Sequence, residues 1–150
     1  VKSVFDTLKK TANQSFPTAN LDPKKTNLDT KKIDAVLGKS GTLKDGVYKV
    51  TIGRTTKMSG HSMGNAMGVN TWAAFVGSDK DAVVDGDFAM LETEVQDVLK
   101  ALRHSGINIV AIHNHMTNEE PRIVFLHFWG LGPADKLAQG LKSALATQKP

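Results

Sequence analysis

The chain has no cysteine, which excludes disulfides, thiolate metal ligands and a cysteine nucleophile but leaves the compartment open. No apolar run approaches the roughly 20 residues that cross a bilayer as a helix. Aromatic residues make up only 6% of the chain, and nucleic-acid binders usually set Lys and Arg beside aromatic or base-reading groups. A phosphate-cradling P-loop, a Ser-His-Asp order, an internal repeat and a low-complexity tract are all missing as well.

What is present fits one globular domain. A chain of 150 residues buries roughly two-thirds of its unfolded surface in a single core. The net charge of +4 is uneven: residues 1–50 hold ten lysines against five acids, while residues 51–150 hold nine basic residues against ten acids. The lysine excess therefore lies in an N-terminal arm, either merely solvated or drawn to anionic surfaces such as a membrane. No nucleic-acid partner is expected. The sequence starts at Val1 rather than Met, which raises the expectation of a removed leader or a trimmed chain.

Hydrophobic spacing predicts a short helix over 3–13 (Val4, Phe5, Leu8), then a proline-bearing linker over 15–28. A second helix starts at Asp29 or Thr30, with Ile33, Val36 and Leu37 on one face and Gly38 as its C-cap. Strands are expected at 47–54, 70–76 and 82–91, with a glycine- and methionine-rich loop over 55–69. Gly86, mid-strand, signals a bulge or a close backbone approach. Thr93 and Gln96 form a capping-box pattern that opens a helix with Val95, Val98, Leu99 and Leu102 in one stripe. Gly132-Pro133 opens a last helix carrying Leu137, Leu141 and Leu145. The arm is thus 1–28 and the domain 29–150. The expected class is α+β: a mainly antiparallel sheet of about five strands, helices on one face, and a ferredoxin-like βαββα core over 82–147.

Chemistry concentrates in INIVAIHNHMTNEEPRIVFLHFW, residues 107–129, where two apolar runs flank a polar turn and hold three of the five histidines. Alternate strand residues share a face, so His113 and His115 point together. If His115 opposes Ile123, then His113 opposes Phe125, Ala111 opposes His127, and all three imidazoles lie on one side. A one-residue slip sends His127 to the other side, and the turn Met116–Arg122 allows either. Three neutral imidazoles would bind a transition metal, zinc first, with copper or iron as alternatives. Zinc held this way keeps a position for water, whose pKa falls to about 7.

Glu119 and Glu120 in the turn are candidate fourth ligands or general bases; as ordinary turn residues they would only be solvated. Asp85 and Asp87 share a face if their strand is regular and are further candidate ligands, with solvation the stronger reading. His104, at a helix C-terminus, goes to the helix dipole. Met58, His61, Met63 and Met67 form a soft donor set suited to copper(I), and His61 descending onto the hairpin histidines would make one joint site. Gly130 and Gly132 before the last helix are read as a turn rather than an anion cradle.

The segments DGVYKVTIGR, MGVNTWAAFVG, VDGDFAMLETEV, ALRHSGINIVAIHNHM and EPRIVFLHFWGLGPADKLAQGL, in that order, resemble the LppY/LpqO family of bacterial proteins over about residues 29–147. That family is defined chiefly as a domain of unknown function, some members being labelled lipoproteins. The resemblance implies an exported protein, periplasmic, extracellular or at the cell surface, and no particular activity. Two functions follow from the residues. One is a metal site with His113, His115, His127 and His61 as ligands, hydrolytic through bound water with Glu119 or Glu120 as acid/base. The other is a non-catalytic module that binds copper, a small ligand or a partner protein against an apolar wall of Trp72, Phe75, Phe125, Phe128 and Trp129.

Overall fold

A computed structural model describes residues 2–11 and 21–148. Helix α1 (Lys2–Thr11) forms where the apolar spacing places it, with Val4 and Phe5 exposed; the last two residues of the expected helix lie outside the described residues, as does 15–20 of the linker. The rest of the linker contains a 3-10 turn at Pro23–Lys25, capped by the Asp22 side chain, and a bridge between Asn27 and Ser78.

Helix α2 (Thr30–Leu37) starts after Asp29 and ends on Gly38, whose φ of 69° is left-handed and suits a residue without a Cβ. Its start is held from outside. The Asp29 amide donates to Asp79 Oδ1 at 2.7 Å, and Lys32 Nζ donates to Asp79 Oδ2 at 2.9 Å. Asp79 lies in the turn between β5 (Asn70–Gly77) and β6 (Ala82–Leu91), so helix and sheet are joined there.

The main sheet also contains β1 (Thr42–Lys44), β2 (Val47–Gly53), β7 (Asn108–His113) and β9 (Ile123–Gly132). Its order is β1-β2-β5-β6-β9-β7, six strands with every neighbour antiparallel. Helix α3 (Val95–His104) links β6 to β7, β9 inserts between them, and α4 (Ala134–Leu145) follows. That is the expected split βαββα core, extended on one side by β5, β2 and β1.

Three local expectations change. The capping box starts at Leu91, two residues before Thr93. Glu92–Glu94 is a 3-10 turn, the Glu94 carboxylate accepts the Leu91 amide at 2.8 Å, and α3 proper begins at Val95. Buried Glu94 also pairs with Arg54 and accepts from Gln148, bonds that Thr93 has no means to replace. Second, β6 pairs without a bulge at Gly86. The close approach is real instead: a Cβ there would lie 2.2 Å from the Trp72 carbonyl oxygen and 2.4 Å from Phe128 Cζ. Third, the 55–69 loop is partly ordered into β3 (Thr56–Met58) and β4 (His61–Met63). These strands form a small second sheet, β4-β3-β8, with β8 (Glu119–Glu120) from the histidine hairpin's turn.

Strand alternation divides the core in two. Val50, Ala73, Phe75, Val84, Phe88, Leu126 and Phe128 face the helices and pack with Ile33, Val98, Leu102, Leu137 and Leu141. Each such large apolar side chain contributes roughly 1.5–3 kcal/mol on burial. On the opposite face a smaller cluster forms from Val69, Ala89, Ile123 and Phe125, with Met63, Leu91 and Met116 packed against it. The expected apolar wall is therefore split: Phe75 and Phe128 belong to the helix-side core, whereas Trp72, Phe125 and Trp129 share the other face with the histidines.

Candidate metal centre

The site is built by register. Along β9, Ile123, Phe125, His127 and Trp129 alternate onto the helix-free face, and β6 sets Ala89, Asp87 and Asp85 opposite Phe125, His127 and Trp129. On the other side β7 sets Ala111 opposite His127 and His113 opposite Phe125. This is the register in which all three hairpin histidines share a side. It depends on a β-bulge: the pairing of β7 shifts between Ile109 and Ala111. Ile109 opposes the helix-side Phe128, yet Ala111, two residues on, opposes His127 on the other face. Val110 is the extra residue that inverts the alternation, and without it His113 would follow Ile109 toward the helices.

The rings are packed. His113 lies flat against His127, with centroids 4.7 Å apart and planes 8° apart, and His115 stacks on Phe125 at 3.5 Å. The Nε2 atoms of His113 and His115 are 2.9 Å apart. Two ring nitrogens this close hold either one proton between them or one cation. Asp87 completes the group: its Oδ2 is 3.6 Å from His115 Nε2, and one ligand atom each from Asp87, His113 and His115 fall within 4.8 Å of one another. An ion with ligand bonds of about 2.0–2.2 Å in tetrahedral array needs donor atoms about 3.3–3.6 Å apart, a spacing between the 2.9 Å of the two Nε2 atoms and the 4.8 Å that bounds the trio. Among the described residues this is the group of three or more His, Asp or Glu side chains that could hold a metal ion.

Asp87 is 3% exposed, and its Oδ1 is buried with no hydrogen-bond partner. The sequence reading favoured solvation here, on the premise of a bulge; regular pairing at Gly86 turns Asp87 inward instead. Asp85, the next residue on that face, remains exposed. Partial desolvation by the neighbouring strands still raises the Asp85 carboxyl above its ordinary value, with Asp87 adding to the effect and His127 and a backbone hydrogen bond from Gly86 opposing it. Burial is also the chief cause that lowers His115 below the usual histidine value. Asp87 works against that shift, while His113 and His127 reinforce it. A depressed His115 is neutral at physiological pH, the form that donates a lone pair to a metal.

The sequence profile of a family described as a domain of unknown function (DUF1259) matches residues 31–147. The chain belongs to that family. No curated protein and no solved structure matches it.

Within the domain, the remaining candidates lie as follows. His127 touches the group through its stack on His113 rather than as one of the three converging donors. His61 is exposed in β4, opposite Met58. The Met-rich loop does dock on the hairpin turn, but through β3: Lys57 opposes Glu120, Met58 opposes Glu119, and Thr56 Oγ1 donates to the Pro121 carbonyl at 2.6 Å. Glu120 is exposed. Glu119 is buried, its Oε1 accepting the Ile123 amide at 3.3 Å while Oε2 has no partner. His104 is the last residue of α3, consistent with a dipole role. One contributor escaped sequence reasoning. Asn114, between the two histidines, donates from Nδ2 to the Ile123 carbonyl at 3.0 Å. With Glu119 on the same residue's amide, both polar backbone groups of Ile123 are tied to the turn that carries His115. An Asn between two histidines on a strand, expected to point away from them, was the available signal.

Proposed function

We propose that this domain binds a divalent transition ion through Asp87, His113 and His115, with His127 stacked behind His113 to fix its ring. The observation that supports it is the buried Asp87 carboxylate, whose Oδ1 lacks a hydrogen-bond partner and whose Oδ2 lies 3.6 Å from His115 Nε2, itself 2.9 Å from His113 Nε2. A buried carboxylate oxygen left without a partner costs about 1–3 kcal/mol, and a cation at this point removes that cost. Two imidazoles and one carboxylate leave positions for an exogenous ligand, a donor set that serves zinc and also ferrous iron. An ion there supplies Lewis acidity at an open coordination position. The resemblance of the HNHM and EPRIVFLHFWG segments extends the proposal to membership of the LppY/LpqO proteins and to a location outside the cytoplasm.

The test is elemental analysis of protein purified without an affinity tag or chelator. A stoichiometric transition metal, zinc foremost, is expected, lost in Asp87→Ala and His113→Ala. Metal-free protein that takes up no zinc, cobalt or iron on titration refutes the proposal.

A further inference from the structure

Helices α2, α3 and α4 cover one face of the main sheet, and β3, β4 and β8 cover part of the other beside Phe125. The remainder of that second face carries both tryptophans of the chain. Trp72 sits directly opposite Asp87, and Trp129 directly opposite Asp85. Neither ring is fully buried. Over the Trp72 indole, 4.1 Å from its centroid, lies the Nζ of Lys49, a residue of β2 that is exposed and makes no ion pair among the described residues. The cation is thus held beside the metal group by an aromatic ring rather than by a carboxylate.

The charges are then unbalanced in one direction. A divalent ion offsets Asp85 and Asp87, which leaves Lys49 as surplus positive charge. Neighbouring strands are about 4.8 Å apart, so β2 and β6 are separated by about 10 Å. Lys49 leans over β5 within that span, and a chain of a few carbon atoms bridges what remains to an ion on Asp87. From this juxtaposition of Lys49, Trp72 and the Asp87–His113–His115 group we infer a binding site for a small dicarboxylic acid. One carboxylate takes an open position on the metal, the carbon chain lies along Trp72, and the other carboxylate pairs with Lys49. The inference rests on the metal reading and specifies the ligand class for it.

The probes are glutarate and butyrate, which differ by one terminal carboxylate, titrated into the cobalt(II)-loaded domain and followed by the cobalt visible spectrum. Glutarate is expected to saturate and to bind about tenfold more tightly than butyrate, the size of one charge-assisted pairing. Lys49→Gln should remove that advantage, with a cobalt titration of the same variant reporting whether the metal centre is intact. Equal affinity for the two acids, or an advantage that survives in Lys49→Gln, overturns the dicarboxylate site while leaving the metal reading standing. Loss of cobalt in Lys49→Gln also overturns it, because Lys49 would then belong to the metal centre. Wild-type protein that binds no cobalt overturns both readings together.

Discussion

Replacing Asp87 with asparagine should change the stability of this domain in opposite directions with and without metal. The carboxylate is 3% exposed and its Oδ1 has no hydrogen-bond partner. In chelator, Asp87→Asn exchanges a buried carboxylate with one unpartnered oxygen for a neutral amide whose NH₂ can donate toward His115 Nε2, now 3.6 Å from Oδ2. Removing such a group stabilises by about 1–3 kcal/mol, or about 3–8 °C in Tm for a chain of this size. With free metal at about 100 times its Kd, the wild type gains about 2.7 kcal/mol by mass action, and the variant, short of one ligand, gains little. Asp87→Asn should therefore melt above the wild type in EDTA and at or below it in zinc or cobalt, as followed by near-UV circular dichroism. Equal destabilisation in both conditions would mean that Asp87 is an ordinary structural group, and the case for the metal centre would lose its support.

Three further substitutions probe the surrounding structure. Asn114→Ala removes the 3.0 Å bond to the Ile123 carbonyl; it should cost about 1–2 kcal/mol in denaturant unfolding and weaken metal binding about tenfold by loosening His115, and unchanged metal affinity would remove its positioning role. Gly86→Ala drives a Cβ to 2.2 Å from a backbone oxygen, so a loss of about 3 kcal/mol or more is expected; a Tm within a degree of wild type would contradict the tight pairing of β5 and β6. For pH, burial holds His115 below the ordinary histidine value of about 6.5 in the folded state. As pH falls the unfolded chain therefore protonates first, and the stability present above pH 6.5 is lost as pH drops toward and through the lowered folded value. His115→Gln, measured without metal, should flatten that acid-side decline, and an unchanged pH profile would show that burial of His115 does not drive it.

Much of this fold was legible because each element carries its own local signal. Ile33, Val36 and Leu37 with Gly38 marked α2, and the leucines at 137, 141 and 145 marked α4. Alternation marked β2, and apolar runs bounded by turn residues marked β5 and β6. Short-range signals failed where partners come from far along the chain. Thr93 offers a good local cap, but Glu94 is engaged by Arg54 and Gln148 from distant elements, which set the helix start. The 55–69 loop reads as irregular because its short strands exist only through pairing with the 119–120 segment. Asp87 was undervalued for the same reason: its burial comes from the strands on either side of β6, and nothing within VDGDF announces which of two alternating acids is buried.

The histidines show how such distant control acts on a site. A His-x-His pair on a strand fixes that two imidazoles share a side, but not which side. Here the choice is made by the irregular pairing at Val110. Upstream of it Ile109 must reach the helix-side core opposite Phe128, and downstream His113 must face away from that core, opposite Phe125. A regular strand satisfies one demand at the expense of the other, because 109 and 113 have the same parity. The extra residue satisfies both, leaving Val110 exposed on an edge strand as the visible cost. An exposed valine on an edge strand is a poor choice for solubility. It becomes intelligible once the bulge is seen as the device that lets one short strand serve a hydrophobic core at its start and a polar donor group at its end.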